Sequence, residues 1–536
     1  MNKMMAYHMD LKRGLWTRAY MDRMVDRLGE WGYNTLILEL EDKFQFNHHP
    51  AIYKPDALSH SQMADFIAAC RAKGVEVIPL VQTLGHAESV VGEPEYAHLR
   101  EHEQVVDQYD PLAEASRTLI LELIDEVIEV MQPQEFFHMG GDETWTLGKS
   151  EKARLVVEKI GIGGLYLKHM LPIFEHIHQQ GLRPIIWADI CLTHPEIIQD
   201  IPPYVVMVDW DYWTKTDRPE GILVWGGMTQ NRNQGNVTLD QYQANKHRIP
   251  DFETYLEAYA IDAQSLVDKT FTPFYCTDAL KGRGVVDVIV ASAESCSGDM
   301  TGMPQNQQVH VPNCFFAARK GMQAGSGVMV TSWAVRHCHC ETKLLAAFAA
   351  GFALKNDDAY NFEILCRAFT QDYYGMELPE FAEAVTKMGV SIVIAQAGYG
   401  DLIFATPTVE HDPLADYLLR IDQEYGSREA GLTGVEAMAH GYREAMNAFR
   451  KMQKQAKKNQ DNFDYLVEGT RRIMLYIDFV IVALKNELPA QTARLLEKLC
   501  ELKCMSRELY GRNYTPEGIA VEMKVRYQAI EEFLRR

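Results

Sequence analysis

Short apolar runs alternate with amphipathic stretches from the first residues of this chain. The runs Met5–Asp10, Thr35–Leu40, Val75–Val81, Glu135–Gly140, Pro184–Ala188, Val205–Trp210, Val285–Ala291 and Gly327–Ser332 are brief and mostly rich in Val, Ile, Leu and Phe. Strands covered on both faces have this near-continuous apolar character. Between them, apolar residues recur with helical period over Thr17–Trp31, Ser61–Lys73, Ser116–Met131, Gly164–Gln180, Val309–Ala324 and Leu344–Ala353. Gly74, Gly181 and Gly325 stand where a glycine ends a helix. Strands alternating with helices in this way predict a parallel (β/α)8 TIM barrel, an α/β fold. The interval Trp213 to Gly284 is too long for one connection and predicts an insertion, with a hairpin around Gly221–Met228 and then a helix.

The pattern changes after residue 355. All eight tryptophans precede that point, and the remainder reads as helix after helix: 360–373, 377–398, 412–425, 433–458, 462–487, 490–510 and 516–535. The expected organisation is a catalytic barrel over 1–355 and an all-α C-terminal domain over 356–536. That domain would pack on the barrel or against a second copy, as in a homodimer. Its most apolar run, Ile473–Leu484, contains Asp478 and is shorter than the ~20 residues a bilayer requires, so it predicts a buried helix.

Charge narrows the partners. With 74 acidic against 53 basic residues and a net charge of −21, the chain lacks the basic footprint of a nucleic-acid binder and is repelled by anionic membranes. Residues Met1–Met5 do not read as a secretory leader. The ten cysteines are scattered without a framework spacing, which predicts free thiols and a cytoplasmic location.

Candidate chemistry gathers at the ends of the predicted strands, where barrel enzymes place it. The run Phe136-Phe137-His138-Met139-Gly140-Gly141-Asp142-Glu143 carries an apolar strand into two glycines and two adjacent carboxylates. The glycines permit a sharp turn. The acids can divide their duties, one staying ionised while the other carries a proton. Trp187, Trp210 and Trp333 stand at three further strand ends. Aromatic faces beside carboxylates suit a sugar, with its apolar ring faces and hydroxyl edges.

These motifs resemble glycoside hydrolase family 20, the β-N-acetylhexosaminidases, and within it the hexosaminidase D branch. The resemblance rests on His138 with Gly140-Gly141-Asp142-Glu143, His8-Met9-Asp10-Leu11-Lys12, Leu38-Glu39-Leu40-Glu41-Asp42, Val77 to His86, Tyr96 to Glu101 and Asp209-Trp210-Asp211-Tyr212. It implies exo cleavage of terminal β-linked GlcNAc or GalNAc with retention, without metal or cofactor. The nucleophile would be the substrate's own 2-acetamido oxygen. Glu143 would be the general acid and base, and Asp142 would hold the acetamido N–H. Asp42 and His86 would form a hydrogen-bonded chain that tunes Glu143. Trp187, Trp210 and Trp333 would wall the acetamido pocket. Strand 1 departs from the better-known branch, offering His8 and Asp10 where that branch has an arginine. The strand 7 Tyr-x-Asp is replaced by Ala291-Ser292-Ala293-Glu294, so Tyr212 is expected to supply the phenol that clamps the acetamido oxygen. His138 reads either as a substrate contact or as support for the strand, and Glu294 and Asp299 as acceptors for hydroxyls.

Three other readings stay open on the residues. A retaining glycosidase with a protein nucleophile would pair Glu143 with Glu294 about 5 Å apart. A metal-dependent barrel hydrolase would draw on His48-His49 or His337-Cys338-His339-Cys340. A non-catalytic sugar-binding protein would keep the aromatics without needing both acids.

Overall fold

The structure is a computed structural model describing residues 3–12, 14–219, 222–225, 234–237, 264, 268, 271–296, 307–334, 339–388 and 405–536. Asp299, His337 and Cys338 lie outside the described residues. Eight parallel strands close into a barrel: β1 (Met4–Asp10), β2 (Thr35–Glu39), β3 (Glu76–Leu80), β4 (Phe136–His138), β5 (Arg183–Trp187), β6 (Val206–Trp210), β9 (Val288–Ser295) and β10 (Gly327–Ser332). The insertion after β6 contains an antiparallel hairpin of β7 (Ile222–Trp225) and β8 (Gln234–Val237).

Register decides which side chains enter the barrel. Paired residues on neighbouring parallel strands share a face, and successive residues alternate. His8 pairs with Ile37 and Thr331, Asp10 with Glu39, Leu80 with His138, and Trp210 with Ala291. Those positions face inward. Tyr7, Asp209 and Glu294 fall on the alternate face, against the helices. Strand β9 runs through Ser295, four residues past its predicted end. Glu294 is therefore a residue within the strand and not a loop residue beyond it.

The helix layer comprises α1 (Arg18–Glu30), α2 (His60–Ala72), α3 (Glu88–Val91), α4 (Glu114–Met131), α5 (Glu151–Gln179), α6 (Asp189–Thr193), α7 (Tyr275–Gly282), α8 (Gln307–Gln323) and α9 (Cys340–Lys355). In α1 the buried residues Tyr20, Met21, Met24, Val25 and Leu28 form one stripe. Ser59 and Gln62 build a capping box at the start of α2. Within α5 two helices meet just before the predicted start at Gly164. Gly161 (φ 72°, ψ 173°) is the non-helical residue that separates them.

The remaining described helices are α10 (Phe362–Tyr373), α11 (Glu380–Lys387), α12 (Pro413–Tyr425), α13 (Arg428–Gln455), α14 (Phe463–Leu484), α15 (Leu488–Tyr510) and α16 (Pro516–Arg535). Helix α9 is buried on nearly every face because barrel lies on one side of it and these helices on the other. Arg27 of α1 pairs with Glu341 at 3.1 Å, and Tyr373 of α10 donates to the same carboxylate. A second seam joins the loop after β1 to the turn before α16. Thr17 N–H donates to Asn513 O (2.8 Å), Thr515 N–H donates to Leu15 O (3.0 Å), and Trp16 bridges Tyr514. His339 stacks on Tyr465 of α14 with centroids 3.8 Å apart, and Cys340 touches the Tyr7 hydroxyl. These two residues of the His/Cys run thus serve packing. Among the described residues no helix is long and apolar enough to cross a membrane.

Candidate active site

The turn after β4 is held from several directions. Met139 N–H donates to Ile185 O (2.9 Å), Trp187 N–H to Gly140 O (3.1 Å), and Thr83 Oγ1 to Met139 O (2.7 Å). His138 Nδ1 accepts from Gly140 N–H at 3.1 Å. The ring is buried and lies 4.8 Å from Trp187. Burial, with His8 adding to it, pulls its pKa down to about 3, so it is neutral. Nδ1 being the acceptor, the proton sits on Nε2, a buried atom with no partner among the described residues. Through the bond from Gly140 N–H, His138 touches the turn directly.

Asp142 and Glu143 leave this turn at the mouth of the barrel. Asp142 is buried and Glu143 partly exposed. His86 reaches both, with Nε2 3.2 Å from Glu143 Oε2 and 3.5 Å from Asp142 Oδ2. Burial raises the Asp142 pKa, His86 opposes that rise, and Glu143 adds to it. Burial alone would lower the His86 pKa, but the two carboxylates outweigh it and hold the imidazole well above its ordinary value. His86 and Glu143 both lie in left-handed backbone (φ 53° and 48°). Strain of this kind collects where geometry serves function. A Cβ on Gly85 would meet Asp142 O at 2.4 Å, so only glycine lets the β3 loop carry His86 this close.

The aromatic wall forms from residues distant in sequence. Trp187 and Trp333 lie 5.8 Å apart, Trp333 lies 4.6 Å from His8, and Trp210 packs on Tyr212 at 5.2 Å. The buried Tyr212 hydroxyl reaches Thr331 and Trp333 and stands near Asp142. Among the described residues Asp142 Oδ1 and Trp187 Nε1 are buried without a hydrogen-bond partner, an acceptor and a donor beside the wall.

Three expected residues sit elsewhere or act differently. Asp42 does not join His86. With Glu41 in left-handed backbone just before it, Asp42 pairs instead with Lys43 at 3.0 Å. Glu294 is wholly buried on the helix side, accepting from Tyr7 Oη (3.0 Å) and pairing with Lys343 (3.0 Å). It can neither meet a sugar in the barrel nor serve as nucleophile with Glu143. Asp10 faces inward, but both oxygens accept backbone N–H groups, from Lys12 (2.7 Å) and Ala334 (2.9 Å), so it fastens the ends of β1 and β10.

Two residues for which the sequence offered no role, Glu39 and Gln82, complete the floor of the site. Glu39 accepts from His8 Nε2 and Gln82 Nε2, both at 2.8 Å, and His8, then Lys12 and Gln82, hold its pKa below the ordinary range against the effect of burial. This polar floor spans β1, β2 and the end of β3. Counting the alternation from His8 across to β2 would have turned Glu39 inward, because Asp10 and Glu39 are in register.

The catalytic-domain model of glycosyl hydrolase family 20 matches residues 5–221. Hexosaminidase D of Bos taurus is 31% identical over 222 residues, covering 40% of this chain and 64% of the relative. Hexosaminidase D of Homo sapiens is 30% identical over 230 residues, covering 41% and 47%. The chain therefore spans under two thirds of the length of either relative. A crystal structure of Flavobacterium johnsoniae chitobiase overlaps 93% of this chain and 74% of its own, at a TM-score of 0.48 and 13% identity. Residues 5–221, with strands β1 to β6 and the Asp142-Glu143 turn, are thus similar to the catalytic domain of glycosyl hydrolase family 20.

Proposed function

We propose that the protein is a retaining exo-β-N-acetylhexosaminidase in which the bound sugar supplies its own nucleophile. The observation that carries this reading is the adjacent pair Asp142 and Glu143, one buried and one open to solvent, bridged by a single histidine. Two carboxylates on neighbouring residues cannot flank a scissile bond as acid and protein nucleophile. Glu294, the partner that such a route would need, is on the wrong face of its strand.

In the first step the acetamido oxygen bonds to C1 while the C1–O bond to the leaving group breaks. Glu143 gives its proton to the departing oxygen. Asp142 accepts the acetamido N–H and offsets the positive charge that spreads onto the oxazolinium ring. In the second step water adds to C1, the ring opens, and the water proton returns to Glu143, restoring the enzyme. Trp187, Trp210 and Trp333 confine the acetamido group, with the Tyr212 phenol donating to its oxygen. Holding an internal nucleophile in near-attack geometry recovers the effective-concentration advantage. The substrate is a terminal GlcNAc or GalNAc glycoside, and the scattered cysteines support a cytosolic setting.

The test compares aryl β-glycosides of GlcNAc, GalNAc and glucose, and adds a thiazoline mimic of the bicyclic intermediate. Turnover of N-acyl sugars only, with tight thiazoline inhibition, is expected. Equal turnover of the glucoside would defeat the mechanism. Glu143→Gln should slow substrates with poor leaving groups about 10²–10⁴-fold while sparing activated aryl glycosides.

A further inference from the structure

Glu143 occupies a backbone conformation that costs a residue with a side chain about 1–3 kcal/mol, and one contact holds its amide there. Its N–H donates to Asp189 Oδ2 at 3.0 Å. Asp189 follows Trp187 by two residues at the end of β5 and is completely buried. Its other oxygen, Oδ1, is shut from solvent and has no hydrogen-bond partner among the described residues. Around it lie Asp142, whose charge raises its pKa further, and the Tyr166 hydroxyl, itself buried without a partner among the described residues. Burying a carboxyl beside another carboxylate is unfavourable, and packing alone would be better served by an apolar residue.

We propose that Asp189 is a positioning residue for the proton donor, fixing the left-handed torsion at Glu143 so that its carboxyl projects over the reacting bond beside His86. The inference rests on the reading of Glu143 as general acid. Burial and Asp142 favour the protonated form of Asp189. Oδ2 then accepts from Glu143 while Oδ1 carries the proton, so the task is geometric and needs no charge. An asparagine can do it equally: its amide oxygen accepts the same N–H. An alanine cannot, and Glu143 is then free to relax toward ordinary backbone, displacing its carboxyl. A misplacement of about 1 Å is enough to cost about 10²-fold.

The experiment measures kcat and KM for Asp189→Asn and Asp189→Ala on an unactivated disaccharide and on a dinitrophenyl glycoside, with Glu143→Gln alongside. The expected result is Asp189→Asn within about fivefold of the parent on both substrates. Asp189→Ala should lose about 10²-fold in kcat on the disaccharide, less than tenfold on the activated glycoside, and show little change in KM. A merely structural role would not split the two leaving groups. Equal losses on both substrates in Asp189→Ala overturn the tether. So does an Asp189→Asn variant that folds with the parent's melting temperature yet is as impaired as Asp189→Ala. Should Asp189→Ala fail to fold, the Asp189→Asn leaving-group comparison decides: a loss confined to the disaccharide overturns the geometric role. If Glu143→Gln itself shows no leaving-group dependence, the general-acid assignment falls, and the tether falls with it.

Discussion

Replacing His86 with glutamine removes a positive charge from between the two carboxylates while keeping a hydrogen-bond donor. The charge stands 3.5 Å from Asp142 Oδ2. At that distance a unit pair interacts by about 1.2 kcal/mol in bulk water and about 5 kcal/mol at an effective dielectric of about 20. Asp142 is buried but His86 is 32% exposed, so water screens the pair and a value near 2 kcal/mol is appropriate. That is about 30-fold in the equilibrium between ionised and protonated Asp142. The sign follows from the site. Burial already raises the Asp142 pKa and His86 lowers it, so removing His86 raises it further. On the proposed mechanism Asp142 is ionised to hold the acetamido N–H, and the active form is lost as pH falls. Hence kcat/KM of His86→Gln should fall about 30-fold below the parent on the acid limb. The gap should narrow as pH rises and the parent's own imidazole deprotonates. Rates on a 4-nitrophenyl GlcNAc glycoside from pH 4 to 9 would show it. A constant ratio at every pH, or a gap that widens toward alkali, would refute the electrostatic role.

Asp142→Asn should slow activated and unactivated substrates alike by about 10²–10³-fold, and a steady-state comparison that shows sparing of the aryl glycoside would contradict its assignment. Glu294→Gln leaves Lys343 buried against a weakened partner and should cost about 3 kcal/mol of stability, read as a lower melting temperature with KM unchanged. A large rise in KM at constant melting temperature would return Glu294 to the sugar pocket. Gly140→Ala places a Cβ 1.8 Å from Gln82 Oε1 at a φ of 64°, so denaturant unfolding should show destabilisation that Gln82→Ala partly relieves. Additive losses in the double variant would mean that the clash is not the cause.

The barrel was legible because its strands are apolar on both faces and its helices are striped, and both signals are local. The turn 139–143 was legible because two glycines followed by two acids allow few readings. Glu294 was misplaced for a specific reason: the apolar run fades after Ala291, yet pairing with β10 carries β9 on to Ser295, and one residue of phase reverses a side chain. Asp42 failed differently. Its neighbour Glu41 takes a left-handed torsion that nothing in the residue type announces. Glu39 lies in a predicted strand and Asp189 directly follows one, but their roles depend on partners 43 and 46 residues away.

The seam between the loop after β1 and the turn before α16 ties together Leu15 and Thr515, 500 residues apart. At about 5–20 residues per second on the ribosome, the later half of that seam emerges about 25–100 s after the earlier one. Until then Trp16 has no Tyr514 to meet, and the nascent barrel must wait with its first loop unpinned. Variants that weaken this junction should therefore lower the yield of folded protein while leaving molecules that have already matured kinetically normal.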